Sequence, residues 1–131
     1  MDENQITYKV RDCIYKVYKN LGPGLLESIY EEALAYELQK KGLRFERQKD
    51  VTILYDGVEL SNSLRLDILV EDKVIIELKS VKELQDIHYK QLLTYLRLSN
   101  LYVGLLVNFN VDNIFDGIHR VYNGKAKPIN E

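Results

Sequence analysis

A single cysteine, Cys13, in 131 residues leaves no partner for an intramolecular disulfide and too few thiolates for a cysteine-based zinc site, as suits a reducing cytoplasm. No apolar run approaches the roughly 18 residues that a membrane-spanning helix needs. The opening MDENQITYKV also lacks the basic start and apolar block of a signal peptide. A cytoplasmic location, away from any membrane, is therefore expected. Positive charge is not in excess: 18 Lys and Arg against 20 Asp and Glu give a net charge of −2. No overall basic field draws in nucleic acid, and any such binding must be local. Tryptophan is absent, and no internal repeat, linker or low-complexity tract interrupts the chain.

What is present is the composition of an ordinary globular protein, 46% hydrophobic and 29% charged, with ten tyrosines. The length suits one domain, 1–131, that buries about two-thirds of its unfolded surface. From Asn4 to Leu21, Ile6, Val10, Cys13, Ile14, Val17 and Tyr18 recur at helical steps. LGPG stops that pattern, and a second runs through Leu26, Ile29, Tyr30, Ala33, Leu34 and Leu38 to KKG, where Gly42 suits a left-handed cap. The period then becomes two. In VTILYDGVEL, Asp56-Gly57 marks a hairpin, and LRLDILV and VIIEL continue a meander of antiparallel strands. Ser80 and Glu83 read as a capping box opening a helix from about Val81 to Leu98. LYVGLLVNF suits a central strand covered on both faces, and IHRVY a short final strand. The expected class is α/β (α+β), in the order α-α-β-β-β-β-α-β-β.

Charges inside the sheet carry the chemistry. In LRLDILV, Leu64, Leu66, Ile68 and Val70 share one face, and Arg65, Asp67 and Leu69 the other. In VIIELK, Val74, Ile76 and Leu78 oppose Ile75, Glu77 and Lys79. A three-residue loop, Glu71 to Lys73, aligns the apolar faces by pairing Val70 with Val74, and so sets Asp67 opposite Glu77. Two adjacent carboxylates repel unless a cation lies between them. One Asp and one Glu, with water and phosphate oxygens, suit Mg²⁺, and Lys79 could orient water or stabilise charge at phosphorus. The same trio also fits a solvated surface ion pair. Nearby, the helix expected after Lys79 presents its positive end, and His88, Gln91 and Tyr95 form one stripe along it. Glu27 and Tyr30 lie one turn apart just after Gly-Pro-Gly. Taken singly, the stripe also fits a solvated helix edge, and Glu27 a favourable first-turn acid.

In that order, Gly24-x-x-Glu27-x-x-Tyr30, Asp67, Glu77-x-Lys79 and Gln91-x-x-x-Tyr95 resemble the GxxExxY protein family of the PD-(D/E)XK nuclease superfamily. The likeness runs from about Ile6 to Tyr122 and includes YEEAL, VIIELKSV, QLLTYL and GLLVNF. It implies a restriction-endonuclease-like core: N-terminal helices, an antiparallel meander, a helix and further strands, forming a mixed central sheet flanked by helices. It further implies Asp67, Glu77 and Glu27 as ligands of Mg²⁺ or Mn²⁺, Lys79 as the catalytic lysine, and Gln91 and Tyr95 as catalytic support. Tyr30, Arg65 and His88 are expected to contact substrate. Leu66 stands where the superfamily's name has Pro, which leaves the ligands intact. His119 reads as structural or surface, and Cys13 as core.

The expected function is hydrolysis of phosphodiester bonds in nucleic acid, DNA rather than RNA. The rival is a non-catalytic nucleic-acid-binding or protein-interaction module that keeps the nuclease fold. It draws on the slightly acidic balance and the absence of a Lys/Arg-rich tract. A third reading is metal-dependent hydrolysis of a smaller phosphorylated substrate. Arg65, Lys79, Lys82 and Lys90 are the basic residues expected near the site, and a homodimer would join two such patches.

Overall fold

The apolar steps of the first helix take shape as α1 (Glu3–Leu21), with Ile6, Val10, Cys13, Ile14 and Val17 buried. Asp2 and Gln5 close its N-terminus reciprocally, each side chain bonding the other's backbone N–H at 2.9 Å. α2 (Glu27–Lys40) buries Tyr30, Leu34, Ala35 and Leu38. Its end is a Schellman turn: Gly42, at φ 81°, donates to the Gln39 carbonyl, and Leu43 to that of Leu38. A Cβ at Gly42 would be strained there. The computed structural model describes residues 1–126.

Five strands follow, β1 (Phe45–Tyr55), β2 (Val58–Val70), β3 (Val74–Lys79), β4 (Val103–Asn108) and β5 (Ile118–Tyr122), in the spatial order β1-β2-β3-β4-β5. Only β3 and β4 run parallel. The crossover between them contains α3 (Asp86–Ser99). α1 and α2 share a buried cluster with Ile68, Val70, Val74, Ile76, Leu78, Val103, Leu105 and Val107. On the opposite face Leu92 and Leu96 of α3 pack with Leu69, Ile75 and Leu106. The expected mixed sheet between helices is thus present, a restriction-endonuclease-like α+β fold, and β4 is buried along its whole length. Each fully buried Leu or Ile stabilises by about 1.5–3 kcal/mol.

Three expectations are corrected. VEL and LRLDILV are one strand, not two: nothing in 58–70 is Gly or Pro, and Ser61, Asn62 and Ser63 stay extended at the surface. The Asp56-Gly57 turn does form, with both residues at positive φ. Alternation along β2 also fails at Leu66, which lies in the α3 cluster while Ile68 and Val70 face α1 and α2. Finally, α3 begins at Asp86 rather than Val81, because 80–85 is tied down elsewhere. The Ser80 hydroxyl donates to the Leu25 carbonyl at 2.6 Å, and the buried Asn108 side chain takes both the N–H and the carbonyl of Val81.

Candidate active site

β2 and β3 pair at Val70–Val74, Leu69–Ile75 and Ile68–Ile76, the register that the Glu71–Lys73 loop requires, and the backbone ladder then stops. On the other side of β2, the ladder to β1 skips the rung of Gln48 and Asp67, where Gln48 turns left-handed at φ 50°. Asp67 therefore lies where the sheet parts on both sides. Carboxylates bridge the opening: the Asp67 N–H donates to Glu77 Oε1 at 3.1 Å, and the Leu78 N–H donates to Asp67 Oδ2 at 2.9 Å. Side chains thus make the next rung of the hairpin.

Glu77 is only 6% exposed. Burial first, and the charge of Asp67 second, push its carboxyl from 4.5 up to about 8. Asp67 is raised as well, chiefly by burial, against the Leu78 N–H that favours its ionised form. Two carboxyls placed like this hold a proton between them rather than ionise together. Lys79, at the end of β3, is half-buried and pulls both downward more weakly. The Tyr95 phenol on α3 is raised by burial and then by Glu77 and Asp67, and it accepts from Gln91 Nε2 at 3.0 Å. The charges of Glu77 and Asp67 are thus felt at the Tyr95 phenol, which Gln91 holds. Hard oxygen donors of this kind suit a divalent cation, and a cation between them would oppose the rise by favouring their ionised forms. Among the described residues, no three His, Cys, Asp or Glu converge as a ready-made metal cage.

A cavity of about 370 Å³ opens beside Asp67, lined by Glu27, Ser28, Glu31, Gln48, Asp67 and Leu78. Glu27 reaches it from the first turn of α2, and the preceding loop is fixed from two sides. The Tyr30 hydroxyl donates to the Gly22 carbonyl at 2.6 Å and accepts from the Leu25 N–H at 3.1 Å, while Ser80 holds Leu25 from the β3 end. The Tyr30 ring stacks on Phe109, with centroids 4.1 Å apart.

These contacts give three of the residues expected at the substrate structural partners of their own. Tyr30 is wholly buried, so it positions the loop before Glu27 rather than touching substrate. The Nδ1 of His88 accepts from the Gln85 N–H at 2.9 Å, capping α3. Arg65 pairs with Asp50 at 3.2 Å on the exposed part of β2, outside the cavity lining. The helix end expected beside Lys79 is displaced with the start of α3, so the segment beyond Ser80 offers no helix dipole there. Sequence reasoning passed over Glu31, Gln48 and Asn108. Glu31, four residues after Glu27 on one helix face, could have been found by that spacing. Asn108, an amide at the end of an apolar strand, carries the one polar side chain in GLLVNF and could have been found by that contrast.

A model of the PD-(D/E)XK nuclease superfamily matches residues 4–121, and the chain belongs to that superfamily. No match emerges from the curated proteins or from the solved structures. Membership gives the coarse function, nuclease-type chemistry on nucleic acid, in a superfamily whose members typically use divalent metals. No helix among the described residues is long and apolar enough to cross a membrane.

Proposed function

We propose that this chain is a metal-dependent nuclease of the GxxExxY type, acting as a single domain, 1–131, on phosphodiester bonds of nucleic acid. The observation that carries the reading is the carboxylate pair bridging the parted ends of β2 and β3, with Lys79 next along the strand and Glu27 in the adjoining cavity. Asp67, Glu77 and Glu27 would hold Mg²⁺ or Mn²⁺, which when bound supplies a polarised water and neutralises charge at phosphorus. Lys79 orients the attacking water or stabilises the developing oxyanion. Tyr95, held by Gln91 on α3, would support the same acids, whose charges its phenol feels. The reading extends to DNA rather than RNA as substrate, to the cytoplasm as location, and to a homodimer as the arrangement that gathers enough positive charge.

The test incubates wild type and Lys79→Ala with labelled DNA and RNA in Mg²⁺, Mn²⁺ or EDTA. Cleavage is expected with metal and not with EDTA, and Lys79→Ala should lose about 100-fold or more while keeping its melting temperature. If no substrate is cut in a metal-dependent and Lys79-dependent way, the non-catalytic binding module takes its place.

A further inference from the structure

We propose that Arg47 is a phosphate-contacting residue of this cleft, presented by Glu31; the inference rests on the nuclease reading above. Glu27, Glu31, Asp67 and Glu77 all lie in or against the cavity, so a phosphodiester that enters needs cationic partners besides Lys79 and a metal. The other cations on β1 and β2, and Arg44 just before β1, are engaged away from its lining. Arg44 pairs with Glu71 at 3.4 Å, Lys49 with Glu46 at 2.9 Å and Arg65 with Asp50 at 3.2 Å. Arg47 also stands outside the lining, but it is bound to a carboxylate of the lining itself, Glu31.

The local backbone is arranged for this contact. Consecutive residues of a strand normally point to opposite faces, yet Arg47 and Gln48 both reach Glu31. Arg47 Nε donates to Glu31 Oε2 at 3.1 Å and its Nη2 lies 3.0 Å from the same oxygen, while Gln48 Nε2 donates to Oε1 at 2.5 Å. The left-handed conformation of Gln48 makes this convergence possible. A non-glycine residue keeps such a conformation where its surroundings over-determine it. The Glu31 side chain is 11% exposed and that of Arg47 42%. One edge of the guanidinium is therefore anchored on a buried acid. Nη1 makes no hydrogen bond among the described residues, and 42% of the Arg47 side chain is exposed. A guanidinium held along one edge is pre-organised to offer the other to a phosphate, with less ordering than a free side chain needs.

The experiment measures binding without turnover. Wild type, Arg47→Ala, Arg47→Lys and Arg44→Ala are titrated in EDTA against fluorescein-labelled duplex and single-stranded oligonucleotides over a series of salt concentrations. Each phosphate contact contributes about 0.9 to the slope of log K against log salt for duplex and about 0.7 for a single strand. Arg47→Ala should lower the slope by about that amount, Arg47→Lys should retain it, and Arg44→Ala should leave it unchanged. If wild type binds while Arg47→Ala keeps the wild-type slope, Arg47 is a structural ion pair and the inference is overturned with the nuclease reading intact. If Arg44→Ala lowers the slope equally, the effect is one of overall charge and the inference also falls. If wild type binds neither oligonucleotide at any salt in EDTA, the Arg47 inference falls, while the nuclease reading is decided separately by the metal-dependent cleavage test.

Discussion

The carboxyl of Glu77 makes the stability of the protein depend on pH in a particular direction. Between its unfolded value of 4.5 and its folded value of about 8, the folded chain keeps a proton that the unfolded chain has lost. Stability is therefore fully present below about pH 4.5 and drains away as pH rises toward 8. In EDTA, the urea midpoint of wild type should fall across that window, and that of Glu77→Gln should fall much less. A midpoint independent of pH in wild type would show that the acid is not held protonated. That Asp67 and Glu77 are neighbours was legible in the sequence, because the apolar alternation of two strands admits one loop length. The grouping of Arg47, Gln48 and Glu31 was not. It depends on one left-handed residue in a strand without glycine, which no periodicity records. The cap that His88 forms was hidden for a related reason: a polar residue on a helix edge looks the same whether it meets a substrate or closes its own helix.

Among the elements, β1 and β2 are the least evenly supported. Their ribbon runs on to the Asp56-Gly57 turn, well past the last β2–β3 rung, and Leu54, Tyr55, Val58 and Leu60 are exposed there. β3 and β4 lie under helices on both sides. Amides of 52–63 should thus exchange with solvent deuterium at far lower protection than those of 74–79 and 103–108. Equal protection in the two regions would mean that something covers the ribbon. The start of α3 shows where element reading fails. Ser80 and Glu83 have the spacing of a cap, but Ser80 is taken by the Leu25 carbonyl and Asn108 claims Val81, so the helix waits until Gln85. Both partners are distant in sequence, and local pattern carries no trace of them.

For the molecule as a whole, the proposed metal binding would couple to folding through the shared proton. Loading Mn²⁺ at pH 7 should expel about one proton per ion, read by calorimetry in buffers of different ionisation enthalpy, and should raise the melting temperature as metal is added. Asp67→Asn should remove both effects. The order of helices and strands was visible from hydrophobic period and turn residues alone, since those signals are local. The way the sheet opens around Asp67 was not, since it is settled by contacts spanning the chain. A different consequence comes from Cys13, buried between α1 and α2 with its sulfur 3.6 Å from the Glu37 carbonyl and its thiol pushed up to about 11 by burial. A thiol reagent finds it only when the two helices part, so the rate at which this single sulfur is alkylated counts the openings of the helical layer that carries Glu27.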